Sequence, residues 1–155
     1  VAVFYYVGKE AKMSAKTFEQ MHKASDKQVF TIVKSDDDQR LVFGWASVAV
    51  RVTGEVIEDY QQDIVEMAVL EKAAYEYTLN FGVAGEMHER GGIGRLVESV
   101  VFTKEKAGAM GIPEGYLPEG WWVGYYIDDD EVWKKIKDGT YRMFSIEGTA
   151  QRIEV

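Results

Sequence analysis

A serine set in an apolar run and a histidine set among glycines are the two residues of this chain best fitted to do chemistry together. The serine is Ser145, in Thr140-Tyr-Arg-Met-Phe-Ser-Ile-Glu-Gly148; the histidine is His88, in Gly85-Glu-Met-His-Glu-Arg-Gly-Gly92. The run around Ser145 reads as a strand closed by glycine. Alternation then gives Met143, Ser145 and Glu147 one face, and Phe144 and Ile146 the other. A hydroxyl and a carboxylate on a buried strand face need partners. A core serine satisfied by hydrogen bonds meets that need without catalysis. A nucleophile activated by a distant histidine meets it as well. The hydroxyl is weak near neutral pH and needs a base within about 2.6–3.2 Å. The base in turn gains from an acid on its other ring nitrogen.

Other polar residues compete for attention. His22 ends a short helical stretch, where a surface histidine is favoured by the helix dipole. Asp59 and Asp63 are four residues apart; they could hold a divalent cation, fix a loop or cap the next helix, and no third ligand is evident. The acidic turn Ser35 to Asp38 reads as a solvated loop.

These residues must be positioned by a mixed set of elements. Val1 to Val7, Gln28 to Lys34, Leu41 to Val52, Gly94 to Thr103, Trp121 to Ile127 and the Ser145 run read as strands. Helices are predicted at roughly 14–22, 66–80 and 130–137. On the second, Val69, Ala73 and Tyr77 recur at four-residue spacing beside Leu70, Ala74 and Thr78. For the third, one of Asp128 to Asp130 is the cap, lysines sit in the last turn and Gly139 ends it. Asn80 to Gly92 and Lys104 to Gly120 read as glycine-rich loops, the latter a plausible flap beside a site. Short strands with isolated helices, rather than alternating βαβ units, predict an α+β fold: a small closed or nearly closed β-barrel flanked by about three helices. Residues 1–155 read as one domain, with a core at about 28–150 preceded by a strand and short helix in 1–27.

Composition narrows the function. The chain is 46% hydrophobic with two prolines, enough for a real core. A net charge of −8 speaks against nucleic acid as partner, and there is no row of carboxylates at phosphate spacing to make it a nucleic-acid mimic. With no cysteine there is no disulfide or thiolate chemistry. No apolar run approaches the ~20 residues that span a membrane. No cofactor is expected.

The ordered set Phe43-Gly44-Trp45, Asp59, Asp63, Glu71-Lys-Ala-Ala-Tyr75, His88, Val97-Glu98-Ser99, Gly120-Trp-Trp-Val-Gly124, Asp129-Asp-Glu-Val-Trp-Lys-Lys-Ile136, Gly139 and Phe144-Ser-Ile-Glu-Gly148 resembles the XkdF-like serine proteases of tailed phages and phage-like elements. More distantly it is similar to the prohead (capsid maturation) proteases, which share a fold with the herpesvirus assembly proteases. The resemblance spans about residues 28–150. It implies a serine endopeptidase acting in the bacterial cytoplasm, inside the procapsid, on scaffold and sometimes on capsid protein and itself. Ser145 would be the nucleophile and His88 the general base.

The herpesvirus relatives use a second histidine after the serine. None follows His88 here, so an acid must serve or a dyad suffice. Glu98 is the first candidate, ten residues after His88 and inside the family's Glu-Ser pair. Glu147 is the second, ~6.5 Å along the strand from Ser145; Glu89, next to His88, is less able to fold back. Oxyanion donors could be amides near Gly148, or Arg142 or Arg95, although a surface salt bridge is the commoner fate of such arginines. By resemblance a scaffold-like segment is expected to have been removed after the domain, and activity is expected to rise with concentration through homo-oligomeric assembly. Two other readings compete: a catalytically degenerate, scaffold-binding capsid-assembly protein, and a metal-binding β-barrel using Asp59, Asp63 and Asp128 to Asp130.

Overall fold

The computed structural model describes residues 2–4, 32–36, 39–58, 64–86, 90–142 and 144–147, with side chains for 39–58, 64–85, 91–142 and 144. In chain order the elements are β1 (Ala2–Phe4), β2 (Ile32–Asp36), β3 (Leu41–Val50), α1 (Met67–Asn80), β4 (Val83–Glu86), β5 (Arg90–Phe102), α2 (Lys104–Ala109), β6 (Glu119–Ile127), α3 (Asp130–Lys137) and β7 (Ser145–Glu147). The strands make one sheet in the order β2-β3-β6-β5-β4-β1-β7. Its ladders are antiparallel apart from the β1–β7 pair, which is parallel.

β6 shows why the sheet has an inside and an outside. Its odd-numbered residues Trp121, Val123, Tyr125 and Ile127 are wholly buried, while Trp122 and Tyr126 are half-buried on the other side. Glycine fills the remaining places because the neighbours come close. A Cβ at Gly124 would lie 2.7 Å from the Phe43 ring, and one at Gly120 only 2.4 Å from the Ser47 carbonyl oxygen. On the inner side α1 contributes Leu70, Ala74 and Tyr77 to the core, and α3 contributes Val132, Trp133 and Ile136. The buried stripe of α1 is Leu70, Ala73, Ala74 and Tyr77, the spacing of one helix face. Val69, grouped with it on sequence, is 41% exposed.

The ends of α3 are as the sequence indicated. Asp129 Oδ1 accepts from the amides of Glu131 and Val132, both at 2.9 Å, and Gly139, at φ +80°, ends the helix. Three readings of loops need correction. Ser35 to Asp38 is not all loop: Ser35 and Asp36 pair with Val42 and Leu41 as the end of β2. Lys104 to Gly120 is not all loop: α2 forms there, capped by the Thr103 hydroxyl, which accepts from the Lys106 amide. Lys106 then reaches α1, where its ammonium meets Glu71 at 3.0 Å and the Tyr75 hydroxyl at 2.9 Å. Tyr75 and Lys106 together hold the Glu71 carboxyl below its usual range. Nor is Asn80 to Gly92 a loop, since β4 and the start of β5 form a hairpin in it.

The sheet curls. β7 comes into contact with β3, although five strand positions separate them in the sheet. Among the described residues no ladder joins β7 to β2 or β3, so the α+β fold carries a curled, barrel-like sheet rather than a ladder-closed barrel. The helix expected at 14–22, with His22, lies outside the described residues.

Candidate active site

Ser145 is delivered by the chain that leaves α3. Gly139 turns it, the Arg142 guanidinium returns to the Gly139 carbonyl, and the Tyr141 amide bonds to the Lys135 carbonyl at 3.0 Å. Phe144 is then buried, 2% exposed, its ring 6.0 Å from that of Tyr125. The next residue, Ser145, begins β7. Its backbone is opposite Ala2 of β1. Ala2 is opposite Gly85 of β4, and Gly85 is opposite Gly91 of β5. One row across the sheet therefore holds Ser145, Ala2, Gly85 and Gly91. At the usual spacing between strands, the backbones of Ser145 and Gly85 are about 9.5 Å apart.

The hairpin on that row is held from below. After α1, Gly82 takes φ +62°, which suits glycine and lets the chain turn into β4. The Tyr77 hydroxyl donates to the Val83 carbonyl and accepts from the Tyr125 hydroxyl at 2.8 Å. Burial pushes the Tyr77 phenol up to about 12, and burial first, then Tyr77, pushes Tyr125 up as well. Phe144, Tyr125, Tyr77 and the start of β4 thus form one buried chain of contacts between the entries to β7 and β4. β4 runs past Gly85 to Glu86, which pairs with Arg90 to close the hairpin. β7 begins on the Gly85 row and runs the opposite way, so Ser145 is the β7 residue nearest the hairpin's closed end. His88 and Glu89, in the connection 87–89, lie outside the described residues.

Glu98 is not brought to this end. It pairs with Gly124 in the far half of β5, seven residues beyond Gly91. At the rise of a strand that is on the order of 20 Å from the Ser145 row, and its side chain is exposed. The sequence suggested otherwise because it shows the ten residues between His88 and Glu98 but not that most of them run out straight. Glu147 is opposite Phe4, two residues along β7 from Ser145. Arg95 is taken up by Asp128, with both nitrogen–oxygen contacts at 3.0 Å, and lies over the Tyr126 ring; it is the surface ion pair its type suggested.

The acidic run Asp128 to Asp130 is likewise spoken for: Asp128 by Arg95, Asp129 by the α3 cap and Asp130 by Arg40. Among the described residues no cluster of three metal-ligating side chains occurs; Asp59 and Asp63 lie outside them. A hollow of about 620 Å³ lined by Gln39, Leu41, Arg95, Leu96, Val97 and Tyr126 contains none of the row residues. No described helix is long and apolar enough to cross a membrane. The tyrosine tie and the part of Ala2 escaped the sequence reading, since both rest on long-range register.

The profile of a family described as "Putative phage serine protease XkdF" matches residues 28–154. Two proteins of Bacillus subtilis (strain 168) are similar to the chain. One, named "Uncharacterized protein YqbD", is 30% identical over 152 residues, covering 96% of this chain and 44% of that protein. The other, "Phage-like element PBSX protein XkdF", is 30% identical over 131 residues, covering 83% of this chain and 44% of that protein. The chain thus spans less than half the length of these relatives. No solved structure matches it.

Proposed function

This chain belongs to the XkdF family of phage proteins, and from that premise we propose that it is a serine endopeptidase with Ser145 as nucleophile and His88 as general base. The observation that carries the reading is the sheet row. It sets the Ser145 backbone about 9.5 Å from Gly85, at the closed end of the hairpin whose connection includes His88. The reading requires the backbones of Ser145 and His88 to be no farther apart than a serine hydroxyl and an imidazole joined by one hydrogen bond can reach.

In this reading His88 takes the proton of Ser145 Oγ as the oxygen attacks the scissile carbonyl. It then passes the proton to the leaving amine, and water hydrolyses the acyl-enzyme by the same route. With Glu98 remote, Glu147 is the acid that remains close along the chain; without it the pair acts as a dyad. Amides near Gly148 are the proposed oxyanion donors.

The substrates proposed are the scaffold and capsid proteins of a phage procapsid, on a fold akin to the herpesvirus assembly proteases, with homo-oligomeric assembly raising activity. Specific activity over a hundredfold dilution series should then fall with dilution, and a flat profile refutes the assembly dependence.

Fluorophosphonate labelling tests the chemistry. The unaltered chain should label on Ser145; Ser145→Ala should not label, and His88→Ala should label at least a hundredfold more slowly, a typical share for a positioned base. Both variants should unfold at the temperature of the unaltered chain. A folded chain that neither labels nor cleaves would instead be the degenerate, scaffold-binding capsid-assembly protein.

A further inference from the structure

β7 and β4, the strands on which the proposed site rests, share no ladder. Between them lies β1, three residues long, antiparallel to β4 and parallel to β7. Among the described residues β1 is the ladder partner of β7. The main ladders, β3–β6, β5–β6 and β4–β5, do not pass through it. We infer that Ala2, Val3 and Phe4 are positioning residues. Their backbone carries Ser145 to its distance from the β4–β5 hairpin, so a chain whose first strand has left its slot keeps its core and loses its working serine. The functional half of this inference rests on Ser145 as nucleophile; the structural half does not.

The two neighbours of β1 are served by alternate groups of its backbone, as in any strand flanked on both sides. Three residues give few such groups, so one lost amide is a large fraction of the attachment. Proline lacks that amide and is excluded from the middle of a sheet. An extended peptide of the same sequence, by contrast, could refill the slot, which is the strand-addition mode of peptide recognition.

The test is Val3→Pro in the full chain, beside Val3→Ile, which keeps the amide. Hydrogen exchange is followed in a peptide holding residues 144–147 and in peptides of β5 and β6, together with the rate of fluorophosphonate labelling. For Val3→Pro, exchange in 145–147 should rise tenfold or more and labelling fall tenfold or more, with β5 and β6 as protected as in the unaltered chain. Val3→Ile should match the unaltered chain, and an excess of synthetic peptide of residues 1–7 should return labelling to Val3→Pro. Unchanged protection of 145–147 overturns the inference. So does loss of protection across β5 and β6 together, for β1 would then hold up the whole sheet. If the unaltered chain does not label, the protease reading fails, and the exchange contrast still decides whether β1 moors β7.

Discussion

Replacing Tyr77 by phenylalanine removes one oxygen from the middle of the buried tie between β4 and β7. That oxygen donates to the Val83 carbonyl and accepts from the Tyr125 hydroxyl at 2.8 Å. Both rings are wholly buried, so after Tyr77→Phe the Tyr125 hydroxyl is left without water or partner, a loss of about 1–3 kcal/mol. The Val83 carbonyl belongs to a residue that is 38% exposed; water can replace part of its bond, which adds about 0.5–1 kcal/mol. The expected total is about 1.5–4 kcal/mol. Tyr125→Phe removes only the donor side and leaves the bond from Tyr77 to Val83 in place, so about 1 kcal/mol is expected. Urea unfolding followed by tryptophan fluorescence measures both, as midpoint shifts at constant slope. The order is the test. If Tyr125→Phe destabilises as much as Tyr77→Phe, or if both lie under about 0.5 kcal/mol, the hydroxyl chain is not what fastens the start of β4.

Alkali should act on the same pair. A free tyrosine titrates near 10, whereas burial holds Tyr77 at about 12. Between these values the unfolded chain has released protons that the folded chain keeps. Stability is therefore full below pH about 10 and falls by about 1.4 kcal/mol per unit for this group as pH rises toward 12. Denaturant melts at stepped pH check it, and a flat profile contradicts the burial. Gly120→Ala would set a Cβ 2.4 Å from the Ser47 oxygen and 2.8 Å from Val48 Cα, and should destabilise by about 2 kcal/mol or more. Gly108→Ala meets nothing within 4 Å inside α2 and should stabilise by about 0.5–1 kcal/mol. Opposite shifts in melting temperature, of about 2–4 °C per kcal/mol, distinguish the two. Asp129→Ala should remove the α3 cap at a loss of about 1 kcal/mol, with Asp129→Asn retaining most of it; unfolding midpoints compare them.

Where local chemistry decided structure, the sequence could be read. α3 carries its cap, its dipole-matched lysines and its terminal glycine in eleven residues. β3 and β6 are rich in β-branched and aromatic residues. Where a residue is chosen for a neighbour far along the chain, the sequence misled. Gly85 and Gly91 resemble a loop when read alone, yet they pair across the β4–β5 ladder, and beside them a Cβ at Gly94 would stand 2.6 Å from the Tyr126 carbonyl. That glycine serves close packing of strands. Thr103 before Lys-Glu-Lys-Ala was a legible helix start, hidden by the glycines and prolines that follow. Glu98 shows the same limit at the site: ten residues can be a turn or a long run of strand, and only the register of β5 against β4 distinguishes them.

The parallel pairing of β1 with β7 has a consequence for the order of folding. Nearly the whole length of the chain separates Ala2 from Ser145, whereas β5 and β6, and β4 and β5, are near neighbours in sequence. Contacts between distant residues are slow to form, because their loop must be closed before the contact rewards it. The hairpin and the helical core can therefore assemble first, with the Ser145 strand docking last onto the first strand. On the ribosome this docking must wait until residue 147 has emerged. A chain still being made would carry its core without its serine in place, and on the proposed reading it would be silent toward its neighbours throughout its own synthesis.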